Sequence, residues 1–253
     1  MRIFCITAVE RRVGKTKLIE NLIMEFKRRN IRVSTIKHVS DEIDLKGKDT
    51  YRHIIAGAEV TLAISPSKSV LFTSEINLER LIELYMPKGG LILIEGFRKS
   101  SYPKILIVKD INDLKSCGVR GEIKAIVCSS TELLEKVREL VNVPVFHFDD
   151  VKRIADFIFD EAVKSTFEGL PKINCRLCGY KGCMDYARAI VMGRDIEGKC
   201  TMKKRVKVYI DNSELGIKPF IEHSLSKIIE GYLSSLKGFK SNFRRIIIEI
   251  ESD

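Results

Sequence analysis

Apolar residues in the first 165 positions follow two different periodicities. Short runs rich in apolar and β-branched residues predict strands, at 2–7, 32–37, 60–64, 69–72, 91–95, 104–108 and 123–128. Apolar residues at helical spacing predict helices at about 15–29, 48–57, 76–85, 131–141 and 149–165. Strands that are apolar on both faces and alternate with helices are typical of a parallel sheet covered on both sides. The sequence therefore predicts an α/β protein with a doubly wound, mostly parallel sheet.

The pattern changes after residue 165. Gly169 and Pro171 both interrupt a helix and predict a linker. Residues 171–202 contain most of the cysteines around a single predicted helix. Residues 203–253 predict a terminal β-α-β unit, with strands at 205–210 and 244–250 around a helix at about 218–236. A unit this small should pack on the rest of the chain or on a second subunit.

Composition restricts the class of protein without identifying it. The chain of 253 residues is 45% hydrophobic and 31% charged, and no apolar run approaches the roughly 20 residues that span a bilayer. The first apolar stretch is short and ends in Glu10, Arg11 and Arg12, which does not fit a signal peptide and predicts a cytoplasmic protein.

The net charge of +10 leaves the class of partner open. Its basic residues are scattered, and no aromatic-rich strands of the RNA-binding kind accompany them. A basic face for an anionic small molecule or an acidic partner fits the charge as well, a solvated basic surface is the alternative to both, and nucleic-acid binding is kept as the weaker hypothesis.

Four of the seven cysteines predict a metal centre. Cys175, Cys178, Cys183 and Cys200 have the spacing Cys-x2-Cys-x4-Cys-x16-Cys. Three thiols within nine residues are expected to converge around a bound group, and four thiolates are what a 4Fe–4S cluster requires. Zinc is the alternative, but structural zinc sites commonly pair two Cys-x2-Cys knuckles and only one is present here. The other three cysteines, Cys5, Cys117 and Cys128, lie in or near apolar segments and predict buried thiols.

A second site is predicted where the first strand ends. Gly14, Lys15 and Thr16 lie between an apolar strand and an amphipathic helix, as in the second half of a phosphate-binding loop. Lys15 would neutralise the β- and γ-phosphates, and the Thr16 hydroxyl would coordinate Mg²⁺. Val9 occupies the position of the first glycine of the full pattern, and Glu10 adds a negative charge. A weakened loop is therefore the alternative.

Glu95 is the candidate catalytic residue. It ends the buried strand at 91–95, and ligands of doubly wound sheets collect at such carboxyl ends. Its carboxylate would hold Mg²⁺ and orient a water molecule, unless Glu95 is simply a polar residue in a surface turn.

Several segments together resemble one family. VGKTKLIENLI, TIKH, GKDTYRHIIAGAEVT, LILIEGFRKSSYPKI and VPVFHFDD follow one another with the right spacing over about residues 1–160. In these segments the chain resembles the molybdopterin-guanine dinucleotide biosynthesis protein B (MobB) family of P-loop GTP-binding proteins. Val9 replaces the family's glycine, and Lys17 replaces its usual second threonine.

The resemblance implies a set of ligand-binding residues. Those implied to bind GTP are Val9, Glu10, Arg11, Arg12, Val13, Gly14, Lys15, Thr16, Lys17, Lys37 and His38. Asp49 and Arg52 would approach the nucleotide or an anionic pterin phosphate from a helix. Because they are three residues apart, a helix-surface ion pair is the alternative.

The cysteine module has a resemblance of its own. CRLCGYKGCMDYARAIVMG is similar to the 4Fe–4S domain of the B subunit of Rnf-type complexes and of corrinoid iron–sulfur proteins.

Two functional hypotheses follow from these resemblances. The first is a GTP-binding accessory protein of molybdenum or tungsten cofactor maturation, at most a slow GTPase. Its implied partners are molybdopterin or its guanylyltransferase, a molybdo- or tungsto-enzyme apoprotein, and a second copy of the chain. The second is an iron–sulfur redox or cluster-carrier protein whose P-loop domain is a docking module.

Overall fold

The computed structural model describes residues 2–39, 49–116, 118–200, 206, 208–211, 213–215, 217, 219–239, 246–248 and 250. The strands are β1 (Ile3–Ala8), β2 (Val33–Lys37), β3 (Val60–Ile64), β4 (Ser69–Thr73), β5 (Leu91–Glu95), β6 (Lys104–Val108), β7 (Ile123–Cys128), β8 (Val145–His147), β9 (Val208–Ile210) and β10 (Ser213–Leu215). The helices are α1 (Lys15–Arg28), α2 (Asp49–Ile55), α3 (Leu78–Tyr85), α4 (Asn112–Ser116), α5 (Thr131–Arg138), α6 (Val151–Glu168), α7 (Cys183–Met192) and α8 (Pro219–Ser234).

Six parallel strands form the main sheet in the order β2-β5-β1-β6-β7-β8. The strands β1, β5, β6 and β7 are almost fully buried, because helices cover both faces of the sheet. Alternate residues of these strands pack against α1, α6 and α7 on one face, and against α3 and α5 on the other. The predicted doubly wound α/β architecture is confirmed.

Two elements of the first 165 residues were not predicted. The predicted strands at 60–64 and 69–72 do form, but they lie outside the main sheet. The short helix α4 and the three-residue strand β8 are additional. The strands β3 and β4 form a separate antiparallel hairpin, in which Leu62 is 54% and Ile64 is 78% exposed. Short apolar runs look alike in a central strand and in a hairpin, so periodicity alone could not separate them.

The terminal segment also differs from the predicted β-α-β unit. Strand β9 is followed by Asp211 at φ 48°, and the chain turns back into the antiparallel strand β10 before α8 begins. Asp tolerates this left-handed conformation better than most residues, which allows the tight turn. The described residues of the predicted last strand, 246–248 and 250, are not in a strand. In the described part of the chain, no helix combines the length and the apolar character that a bilayer crossing requires.

Helix α7 belongs to the same hydrophobic core as the sheet. Ala187 and Val191 are fully buried among side chains of α1, α6 and the strands. The end of α7 is held by backbone donors. The Gly90 N–H donates to the Ile190 carbonyl at 2.8 Å, and the Arg32 N–H donates to the Met192 carbonyl at 3.1 Å. Because residues 32 and 90 immediately precede β2 and β5, the cysteine module lies at the edge where these strands begin, here called the amino edge.

Arg2 strengthens this attachment. Its guanidinium is buried and donates to the Pro87 and Gly90 carbonyls and, at 3.1 Å, to the Glu197 carboxylate. One side chain thus joins the start of β1, the loop before β5 and the segment that leads to Cys200.

We expect Arg2→Met to lower the free energy of unfolding by about 3 kcal/mol, because it leaves buried carbonyls without a donor. Arg188→Met, which changes an exposed arginine of α7, should have an effect within about 0.5 kcal/mol. Urea denaturation of the two variants and the parent measures both values. Equal stability of the two variants would contradict the proposed attachment.

Candidate nucleotide site and cysteine cluster

The phosphate-binding loop ends in a helix terminus that no side chain caps. Helix α1 follows Gly14, which has φ 94° and makes no side-chain cap, and its first turn contains no acidic residue. The first N–H groups of a helix have no partner within the helix and attract anions. The start of α1 is therefore equipped to bind a phosphate.

Three predicted residues meet at the edge of the sheet where the strands end, here called the carboxyl edge, which lies opposite the cysteine module. The Thr16 hydroxyl donates to Glu95 Oε1 at 2.9 Å, and Lys37 Nζ lies 3.5 Å from the same oxygen. The sheet register explains this, because Lys37 is paired with Glu95 and Glu95 with Ile6 of β1. A hydroxyl and a carboxylate in contact beside a phosphate site form a donor set that suits Mg²⁺.

Lys15 folds back over its own loop. Its ammonium group donates to the Glu10 carbonyl at 3.0 Å, while the Glu10 side chain is exposed. Burial lowers the pKa of Lys15 below its ordinary value; the nearby Glu95 carboxylate opposes this shift and Lys37 adds to it. The negative charge expected inside the loop is therefore directed to solvent, and Lys15 remains within reach of the helix terminus.

Two residues near the loop were not predicted from the sequence. The ring of Phe148, just after β8, would lie 3.0 Å from a Cβ atom at Gly14, which is a tight contact, and the φ of 94° at Gly14 would strain any other residue. Lys109, just after β6, places Nζ 3.5 Å from the Arg12 carbonyl. Both residues follow strands of the sheet. Because ligands collect at the carboxyl ends of such strands, Lys109 could have been predicted from its position after the strand at 104–108. Phe148 could not, because the strand before it, β8, was not predicted from the sequence.

Three further predicted residues, His38, Asp49 and Arg52, fall in two places. His38 lies beside Glu95, since its N–H donates to the Glu95 carbonyl at 3.0 Å and its ring packs against Phe97 at 4.6 Å. Asp49 and Arg52 are 90% and 79% exposed, and their side chains form an ion pair of 3.8 Å on α2. Their predicted role at the nucleotide therefore stays a prediction.

The four cysteines of the module line one pocket. The other lining residues are Pro171, Ile173, Asn174, Arg176, Gly182 and Tyr186. Cys183 is the first residue of α7 and is buried, whereas Cys175 precedes it in an exposed loop. The Asn174 side chain joins these positions, because its Oδ1 accepts a hydrogen bond from the Cys183 N–H at 2.9 Å.

The four cysteines of this pocket form a donor set for a metal group. Four thiolates ligate a 4Fe–4S cluster, and four sulfur ligands also suit a structural zinc ion. Among the residues that the structure describes, no group of three or more His, Cys, Asp or Glu side chains is arranged to hold a metal ion.

The segment before Cys200 is held by polar side chains. The Asp195 carboxylate accepts hydrogen bonds from the Tyr180 hydroxyl at 3.0 Å and from Lys199 Nζ at 2.7 Å. The bond from Lys199 holds the pKa of Asp195 below its ordinary value, and burial raises the pKa of Tyr186. Lys199 is thus paired with Asp195, while the basic residues 203–205 lie outside the described residues.

Of the other cysteines, Cys5 and Cys128 are fully buried, as predicted, and Cys117 lies outside the described residues. Burial raises the pKa of the Cys128 thiol to about 11.

A parallel sheet whose first strand leads through a Gly-Lys-Thr loop into a helix defines a P-loop nucleotide-binding protein. The family described as molybdopterin guanine dinucleotide synthesis protein B matches residues 3–129, and the chain belongs to this MobB family. A second family, described as "Putative Fe-S cluster", matches residues 170–202.

Individual relatives extend this comparison. A Methanocaldococcus jannaschii protein named "Putative molybdopterin-guanine dinucleotide biosynthesis adapter protein" is 28% identical, over 94% of this chain and 93% of its own. A Bacillus subtilis protein named "Probable molybdopterin-guanine dinucleotide biosynthesis adapter protein" is 33% identical, over 58% of this chain and 86% of its own. The crystal structure of Bacillus subtilis MobB is 28% identical and superimposes with a TM-score of 0.52, covering 64% of this chain and 98% of that one. The first of these relatives thus spans the cysteine module as well.

In the metal-free protein at pH 8, we expect iodoacetamide to modify Cys175 rapidly and Cys128 at least tenfold more slowly. Cys175 is exposed, whereas Cys128 is buried and ionises only near pH 11. Mass spectrometry of tryptic peptides against time measures both rates. Modification of Cys128 as fast as that of Cys175 would contradict the buried position of β7.

Proposed function

We propose that the protein is a GTP-binding accessory protein of molybdenum or tungsten cofactor biosynthesis or delivery that carries a 4Fe–4S cluster. The observation that carries this proposal is the meeting of Thr16, Lys37 and Glu95 beside the uncapped start of α1. Membership of the MobB family and the adapter names of the relatives support the pathway.

Each residue at the carboxyl edge has a role that its position supports. The backbone N–H groups at the start of α1 and the Lys15 ammonium group bind the phosphates of GTP. Thr16 and Glu95 would hold Mg²⁺, which would neutralise phosphate charge when bound. Glu95 also orients a water molecule, so hydrolysis is possible but slow, because its carboxylate is already engaged by Thr16 and Lys37.

The cluster has a separate role. Cys175, Cys178, Cys183 and Cys200 would each supply one thiolate, and the cluster would give the protein one-electron redox chemistry. The five residues of β5 span about 17 Å at ~3.3 Å per residue and lie between the amino edge and Glu95. At that separation the cluster does not take part in phosphate chemistry, and we assign it to sensing, docking or electron exchange.

The partners follow from the pathway. An adapter would present GTP, or the cofactor, to molybdopterin guanylyltransferase or to a molybdo- or tungsto-enzyme apoprotein. The exposed apolar residues of the β3–β4 hairpin, including Leu62 and Ile64, support association with a second copy of the chain.

A second candidate is an iron–sulfur redox or cluster-carrier protein in which the P-loop domain only docks. Val9, in place of a loop glycine, favours it, since a β-branched residue restricts the backbone of the loop. The separation of the two sites on opposite edges fits this candidate equally.

Lys15→Ala should weaken GTP binding at least tenfold in isothermal titration calorimetry with Mg²⁺. The lost hydrogen bond to a charged phosphate is worth about 1.5–3 kcal/mol. Lys27→Ala, which removes an exposed lysine from the last turn of the same helix, is the matched control and should change affinity less than threefold. A parent protein that binds iron but not GTP would favour the second candidate.

Anaerobic reconstitution should yield four iron and four sulfide ions per chain, with the visible absorption of a cluster. Cys175→Ala and Cys200→Ala should each lose most of this iron, whereas Cys128→Ala should retain it. Iron, sulfide and zinc analyses of the three variants provide the measurement. A colourless protein that contains only zinc would refute the cluster.

A further inference from the structure

Tyr186 occupies the centre of the cysteine module. It lies three residues after Cys183 on α7, so both side chains are on the same side of the helix. Its side chain is 1% exposed and lines the pocket that the four cysteines share. The ring therefore forms part of the wall of the proposed cluster site.

The Tyr186 hydroxyl acts as both donor and acceptor toward one short segment of backbone. It donates to the Ile196 carbonyl at 2.8 Å and accepts from the Lys199 N–H at 3.1 Å. The backbone N–H of Cys200 also faces this oxygen. The hydroxyl thus joins the two ends of the turn at 196–199, which contains Gly198 at φ 104°, and the next residue is the fourth cysteine.

Asp195 supports the same turn from outside. Its Oδ1 accepts from the Ile196 N–H at 2.8 Å, and its Oδ2 accepts from the Tyr180 hydroxyl at 3.0 Å. Because Tyr180 lies between Cys178 and Cys183, this carboxylate links the loop of the first three cysteines to the segment of the fourth. The Tyr180 and Tyr186 rings also pack together at 5.4 Å.

We propose that Tyr186 is a positioning residue for the cluster, because its hydroxyl fixes the turn at 196–199 and so holds Cys200 at the pocket that the other three cysteines line. This inference rests on the proposed cluster function. A phenylalanine would fill the same buried volume but could not satisfy the Ile196 carbonyl or the Lys199 N–H. Packing alone therefore does not account for a tyrosine here.

The test compares Tyr186→Phe with the parent and with Tyr232→Phe, a matched control on α8 whose side chain is 76% exposed. After anaerobic reconstitution, an iron chelator should remove the cluster about tenfold faster from Tyr186→Phe, since removing an outer-shell partner typically costs 10–100-fold in affinity. The midpoint potential should shift upward, because a looser Cys200 segment admits water that stabilises the more negative reduced cluster. The control should match the parent in both measurements.

A second readout needs no metal. In the cluster-free protein, the alkylation rate of Cys200 relative to Cys175 should rise several-fold in Tyr186→Phe and stay unchanged in Tyr232→Phe. Continued protection of Cys128 in the same samples verifies that the variant is folded.

Two outcomes distinguish the positioning role of Tyr186 from the proposed cluster function on which it rests. A Tyr186→Phe variant with parental release rate, potential and Cys200 reactivity would overturn the positioning role and leave the cluster intact. A parent protein that takes up no iron under reconstitution would instead overturn the cluster itself.

Discussion

Two backbone hydrogen bonds at the end of α7 determine how the two halves of this molecule are arranged. The Met192 carbonyl, at the end of the helix, accepts from the Arg32 N–H, and the Ile190 carbonyl accepts from the Gly90 N–H in addition to the Gly193 N–H of the helix cap. Gly193, at φ 76°, ends the helix at this point. Since these donors immediately precede two strands, the cysteine module is fixed at the amino edge, and the carboxyl edge stays open for a ligand.

The same two strands therefore connect both sites. Strand β2 begins beside the end of α7 and ends at Lys37, and β5 begins there and ends at Glu95. Both are short and paired to each other along their whole length, and β5 is buried, whereas β2 is the partly exposed edge strand of the sheet. The length of these two strands therefore sets the distance between the two sites. Energetic coupling between the sites would require an element with two states.

The parts of this molecule that could be predicted from the sequence are those encoded by neighbours in the chain. The Gly-Lys-Thr turn, the strand ending at Glu95 and the spacing of the four cysteines each place chemistry within a few residues, and the structure brings Thr16, Lys37 and Glu95 together. Phe148 and Tyr186 act through tertiary contacts with Gly14 and with the segment before Cys200, for which no local pattern exists. The β3–β4 hairpin was misplaced for a related reason, since an apolar run does not specify its pairing partner.

The charges around the phosphate loop explain part of the basic composition. Lys15 and Lys37 share one nearby carboxylate, Glu95, and each ammonium group disfavours the other. Two ammonium groups beside a single carboxylate leave a net positive charge at this edge. A triphosphate bound at this place would supply negative charge, and its oxygens would replace the water that burial removes from the Lys15 ammonium group. The excess of positive charge in the sequence is, at this edge, the complement of an anionic ligand.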